Sequence, residues 1–266
     1  MNRSLQQSCY DALMETNPQN KCAITQHLHE QMQKHALSID HKAALKNIQP
    51  GRPEKPELVL PKQLHKRGIG KQSGRNHLMH AVAHIEFNAI NLALDAAYRF
   101  ADQPRQFYSD WIRVASEEAK HFGLVCHYLE KHNIDYGDFP AHDGLWDMCV
   151  RTQDSVLSRM ALVPRVLEAR GLDVTPSIIE KLSAVGDSDA VHVLEIIFND
   201  EIDHVRIGSD WFVYHCKQQA LEPQATFLDC VKKHLHGELR GPFNLTARQK
   251  AGFTDSELAY LEQNYS

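Results

Sequence analysis

From Gly74 to His215 apolar residues recur three or four positions apart, and no stretch alternates apolar and polar as a half-buried strand would, so the span reads as helix. Four long helices are expected at about 75–101, 105–132, 146–170 and 188–217. Gly171 is expected to interrupt the third, with a shorter helix over Pro176–Val185. Asp102-Gln-Pro104 leaves room only for an antiparallel hairpin between the first two helices. The longer segment IDYGDFPAHDGLW carries the chain from the second to the third. Two hairpins and one crossover make a four-helix bundle.

The flanks read differently. Residues 1–47 suggest one or two amphipathic helices, the first burying Leu5, Tyr10 and Leu13 and the second Ile24, Leu28 and Met32. Residues 48–74 form an extended connector, because Pro50, Pro53, Pro56 and Pro61 each remove a donor and bias the preceding residue away from helix. The bundle then occupies 75–217. A C-terminal extension, 218–266, is expected to pack on it and to end in a helix opened by the capping box Thr254-Asp-Ser-Glu257.

Composition narrows the class. With 266 residues and 42% hydrophobic content the chain is long enough for a real core. No window approaches eighteen consecutive apolar residues and the first residues lack a secretory core, so no membrane partner and a cytoplasmic location are expected. The six cysteines include no C-x-x-C pair, which excludes a zinc knuckle or thioredoxin-like motif and leaves reduced thiols as core filler. A net charge of −5 argues against a surface that coats nucleic acid. The unusual feature is 17 histidines.

Two of them fall in Glu118-Ala-Lys-His121 and Glu201-Ile-Asp-His204, each setting a carboxylate and an imidazole on one helical face. With 16 Glu and 17 His in 266 residues, about one such pair arises by chance, so position decides. The face of Glu118 and His121 carries Trp111, Val114, Ala115, Phe122, Val125 and Leu129. That of Glu201 and His204 carries Leu194, Ile197, Phe198, Val205, Gly208 and Phe212. The first long helix offers Glu86 among Met79, Val82, Ala83, Ala89, Ile90, Ala93 and Ala97, and the third offers Glu168 among Leu157, Ala161, Pro164 and Leu172. All four helices thus bring an inward glutamate. The spacing repeats, 32 residues from Glu86 to Glu118 and 33 from Glu168 to Glu201, and each interval is centred near a predicted turn.

Carboxylates buried without compensation cost several kcal/mol, and a metal cation compensates them. One Glu from each of two helices and a Glu-x-x-His from each of the others is the ligand set of ferritin-like dinuclear carboxylate sites. Hard oxygens with one imidazole per metal suit two iron ions, or manganese, or a mixed pair, better than zinc. Glu118 and Glu201 are expected as bridges and Glu86 and Glu168 as terminal or bridging ligands; spacing leaves open which carboxylates bridge. The competing reading has the buried acids meeting arginines such as Arg113, Arg159 or Arg165.

The segments HAVAHIEFNAINLALDAAYRF, FYSDWIRVASEEAKHFGLV, YGDFPAHDGLWD, RMALVPRVLEARGLDVTP and NDEIDHVRIGSDWF resemble a bacterial ferritin-like family known mainly as a domain of unknown function. The likeness covers about residues 50–250 and leaves the N-terminal helices outside. More distantly the chain is similar to the tRNA hydroxylase that oxidises a prenylated adenosine, and to rubrerythrin and bacterioferritin. The resemblance implies a four-helix bundle with a dinuclear site at Glu86, Glu118, His121, Glu168, Glu201 and His204, and no established substrate.

The expected function is a dinuclear metal protein, an O2-dependent hydroxylase or oxidase acting on a small-molecule or tRNA-borne substrate with an external electron donor. Ferroxidase, iron handling or peroxide detoxification is the alternative, against which stand the long flanks, awkward for a cage, and the absence of a cysteine-bound iron for electron delivery. A third reading is a non-catalytic interaction protein stabilised by metal. His77, His80 and His84 form a stripe at helical spacing toward the opposite side of the helix from Glu86, about 120° to 180° around it, and read as partners of the crossover loop or another helix, with a second metal or proton route as the alternative. Asp200 reads either as a hydrogen-bond partner that orients an imidazole or as a solvated or salt-bridged residue, and Asp203 is expected about 100° beyond His204, away from the metal face. Lys62, Lys66, Arg67, Lys71 and Arg75 form an acid-free segment that reads as a solvated face or a phosphate or RNA contact. His142, Asp143 and Trp146 anchor or lid the bundle, and Tyr98 and Tyr108 sit too far along their helices for a redox role.

Overall fold

The computed structural model describes residues 4–41, 48–64, 68–235 and 239–265. The fold is all-α: among the described residues there is no strand, only two isolated bridges. The helices are α1 (Leu5–Met14), α2 (Pro18–Gln33), α3 (Gln72–Arg99), α4 (Arg105–Lys131), α5 (Gly144–Arg151), α6 (Val156–Leu162), α7 (Ala169–Ala184), α8 (Ser188–Gln218), α9 (Pro223–Leu235), α10 (Leu245–Lys250) and α11 (Asp255–Tyr265). A π turn, Val163–Glu168, joins α6 to α7. The chain forms two compact units, residues 1–146 and 147–266.

In the first unit α3 and α4 make the expected hairpin across Asp102–Pro104. Every residue of α3 from Glu86 to Arg99 is buried, so this helix is the unit's axis and not a one-faced element. α1 packs on α3 and α2 on α4. Ser4 caps α1 through Gln7 N, and Asn17, followed by Pro18 in the first turn, caps α2 through Asn20 N. The face of α2 differs from the expected one. Lys21, Thr25, Leu28 and Met32 are buried while Ile24 is exposed, because the Lys21 Nζ finds acceptors inside, Leu13 O at 2.8 Å and Asn91 Oδ1 at 2.7 Å.

The described part of the connector runs beside the crossover loop, with Val59 N–H donating to Ala141 O (2.8 Å) and Ala141 N–H to Glu57 O (2.9 Å). Gly51 passes where a Cβ would stand 2.1 Å from Met14 O. The histidine stripe holds the loop. Gly137 N–H donates to His80 Nε2 (2.9 Å), His84 reaches the Tyr136 hydroxyl (2.9 Å) and His142 O (3.1 Å), and His77 stacks on Phe139. Burial pulls the pKa of His80 and His84 down to about 4, which keeps each ring neutral with one nitrogen as acceptor: His80 Nε2 accepts from Gly137 N–H, while the His84 nitrogen facing His142 O donates. Arg52 pairs with Asp143 at 3.0 Å, and Trp146 is buried, so these loop residues anchor packing.

The second unit corrects the third predicted helix. It is not one span over 146–170: α5 stops at Arg151, and Ser155, capping through Ser158 N, starts α6 afresh. Nor do Gly171 and Pro176 separate a later helix, since α7 runs unbroken to Ala184. Leu172 and Leu182 are fully buried, and packing of that face outweighs the roughly 1 kcal/mol of a helical glycine and the missing donor of Pro176. The turn at Val185–Asp187 and α8 fall where expected. Ala247, Ala251, Phe253, Leu258 and Leu261 of the C-terminal segment pack with Ala169, Leu172 and Val205 in one apolar cluster.

Candidate metal centre

In the first unit the α3–α4 hairpin sets Glu86 beside Glu118 and His121, all buried, at 3%, 0% and 0% exposure. His121 Nδ1 lies 3.3 Å from Glu118 Oε2 and 3.4 Å from Glu86 Oε2. The three side chains each offer a ligand atom within 4.8 Å of the others. Burial alone would lower the imidazole pKa, but the hydrogen bonds and charges of Glu118 and Glu86 overcome it and raise it to about 11. Two carboxylates here therefore demand a positive partner. A proton on His121 meets that demand, and so does a metal cation, which takes the imidazole neutral and displaces the proton.

In the second unit α8 carries Glu201 and His204 as an i, i+3 pair, with His204 Nδ1 3.7 Å from Glu201 Oε1 and the imidazole fully buried. Ile197, Val205, Gly208 and Phe212 surround them along the buried side of the helix. Glu168 closes the π turn and is half-buried.

Of the arginines in the competing reading, Arg165 pairs with Glu257, Arg159 donates to Thr152 Oγ1 and Cys149 O, and Arg113 pairs with Glu117. Asp203 pairs with Arg206 at the surface. Tyr108 donates to Phe100 O and Ala101 O and closes the hairpin turn. In the basic segment Arg75 donates to Ile69 O and Gln72 Oε1, whereas Lys66 and Arg67 lie outside the described residues. Sequence reasoning missed the π turn and the Arg165–Glu257 pair. Pro164, inside a predicted helix, was the available signal for the first, since a proline there displaces the backbone ladder.

Fold and site together define an all-α bundle protein with a buried Glu/His group able to hold a metal ion. The chain belongs to the family described as Protein of unknown function (DUF455), which it matches over residues 14–259. That match takes in α2, so the likeness is not confined to residues 50–250. A Haemophilus influenzae protein described as uncharacterized is 42% identical over 261 residues, covering 94% of this chain and 91% of its own. No solved structure matches. No helix among the described residues is long and apolar enough to cross a membrane.

Proposed function

We propose that Glu86, Glu118, His121, Glu168, Glu201 and His204 hold a ferritin-like dinuclear centre, iron in the first instance, and that the protein is an O2-dependent hydroxylase or oxidase. The observation that carries this reading is the set of two buried carboxylates bracketing one buried imidazole, with a second Glu-x-x-His on α8. The donor chemistry fits: four hard carboxylates and two imidazoles match ferrous or manganous ions and offer none of the thiolates that structural zinc prefers. Four carboxylates also balance two divalent charges, which lets the ions sit in an apolar interior. Held by these six residues, a pair of ferrous ions would supply the electrons that activate dioxygen toward an organic substrate.

The chain's own residues do the rest. Apolar neighbours such as Ala115, Phe122, Ile90 and Phe212, all buried, keep bulk water from the carboxylates and strengthen every charge interaction among them. His121 is oriented by its hydrogen bond to the Glu118 carboxylate at i−3, and His204 stands on the same face of α8 as Glu201, its Nδ1 3.7 Å from Glu201 Oε1. The substrate is a small or tRNA-borne molecule, and the electron donor is external, since no C-x-x-C motif provides an internal carrier. Anaerobic ferrous titration tests the reading. Two ions per chain, and oxygen uptake after loading, are expected; zero ions, or two ions without any oxygen consumption, would contradict the metal site or the oxidase reading respectively.

A further inference from the structure

The π turn that carries Glu168 is fastened at two successive residues, in two directions. Pro164 lies against α8 at Gly208, where a Cβ would stand 2.2 Å from Pro164 Cγ. Gly208 follows His204 by one helical turn and Glu201 by about two, on the same side of α8. Arg165 leaves the turn toward the C-terminal segment. Its guanidinium carbon is 4.8, 4.9 and 4.5 Å from the ring centroids of Phe212, Phe227 and Phe253, and Nη2 donates to Glu257 Oε1 at 2.5 Å. Both side chains are buried, at 1% and 5% exposure. Arg165 Nε and Nη1 have no hydrogen-bond partner among the described residues; the three rings supply their electrostatic compensation instead. The other oxygen of Glu257 accepts from Thr254 N and Oγ1, so one carboxylate both caps α11 and holds the π turn.

A π turn is a local departure from the α-helical ladder that persists only where its surroundings impose it. A buried ion pair is poor evidence of net stability, since apolar residues of the same volume often do as well, but unlike them it has one geometry. Glu168 follows Arg165 by three residues and ends the same turn. We propose that Arg165 and Glu257 are positioning residues for Glu168: through this pair the C-terminal helix α11 sets the π turn, and so the placement of one metal-binding carboxylate and the loading of the centre. The proposal rests on the metal-centre reading above.

The test compares Glu257→Ala with Asp173→Asn. The latter weakens a different buried ion pair, in which Arg248 reaches Asp173 at 2.8 Å and ties α10 to α7 in the same unit. Calorimetric titration of the full-length chain with manganous ion, and hydrogen exchange of the amides of residues 165–169 in metal-free protein, are read for each. Glu257→Ala is expected to weaken one of two ions by about 10- to 100-fold, as loss of a group supporting a metal ligand does, and to speed exchange in the π turn. Asp173→Asn is expected to keep the wild-type isotherm and exchange. Should Glu257→Ala fail to fold, Glu257→Gln, which keeps the side-chain volume, is expected to show the same split in milder form. Equal affinity for both ions in the Glu257 variants, or an equal loss in Asp173→Asn, overturns the proposal. Wild-type chain that binds no manganous or ferrous ion overturns the centre itself, an outcome distinct from two ions bound alike by wild type and variant.

Discussion

His121 is a base held between two acids, and its environment was legible because the face of α4 that carries it with Glu118 also carries Trp111, Val114, Ala115, Phe122, Val125 and Leu129. The same spacing argument separates it from the equally conspicuous His77, His80 and His84, whose side of α3 faces the crossover loop. Glu118→Ala and His204→Ala are therefore expected to abolish metal binding, whereas His80→Ala leaves the metal content nearly unchanged and loosens the loop. Equal metal loss in all three would show the faces to be wrongly assigned. Lys21 was not legible, because hydropathy places a lysine outside and only the geometry of Leu13 O and Asn91 shows why it is inside. Burial lowers its pKa from 10.5 to about 7. The unfolded chain then binds one more proton between pH 7 and 10.5, so this group makes stability rise with pH across that window, by up to about 1.4 kcal/mol per unit, and contributes no slope below 7. Urea unfolding at pH 7 and 9 checks the sign: Lys21→Met is expected to remove the rise, and an unchanged slope would mean that Lys21 titrates normally in the folded state.

Hairpins and helix ends were readable wherever turn chemistry is strong. Asp102-Gln-Pro104, Gly186-Asp187 and the Thr254–Glu257 capping box all appear where the sequence puts them. The third helix was not, because its course is decided by contacts remote in sequence. Ser155 restarts it, Pro164 widens it against Gly208, and Leu172 and Leu182 carry it through Gly171 and Pro176. Gly208→Ala tests that account. A methyl group 2.2 Å from Pro164 Cγ forces α8 and the π turn apart, at a cost of about 1–3 kcal/mol, seen as a lower denaturation midpoint. A midpoint equal to that of the wild type would mean that the close approach is not real.

Across the whole chain each compact unit, taken by itself, carries one Glu-x-x-His and one further glutamate, in keeping with the repeated 32- and 33-residue spacings. The packing of the N-terminal helices and the C-terminal anchoring by Arg165 and Arg248 lay beyond sequence patterning, since buried charges are recognised only once their partners are in place. A ligand that binds only the folded state stabilises it by about 1.4 kcal/mol for each tenfold excess over its dissociation constant. Manganous or ferrous loading is thus expected to raise the melting temperature and a chelator to lower it, with no change in Glu118→Ala. The most direct measurement is the metal content of protein purified without chelators, combined with an anomalous-scattering map of its crystals. Two iron or manganese peaks ligated by Glu86, Glu118, His121, Glu168, Glu201 and His204 are the expected result; an ion-free interior with those acids clasping guanidinium groups would contradict it.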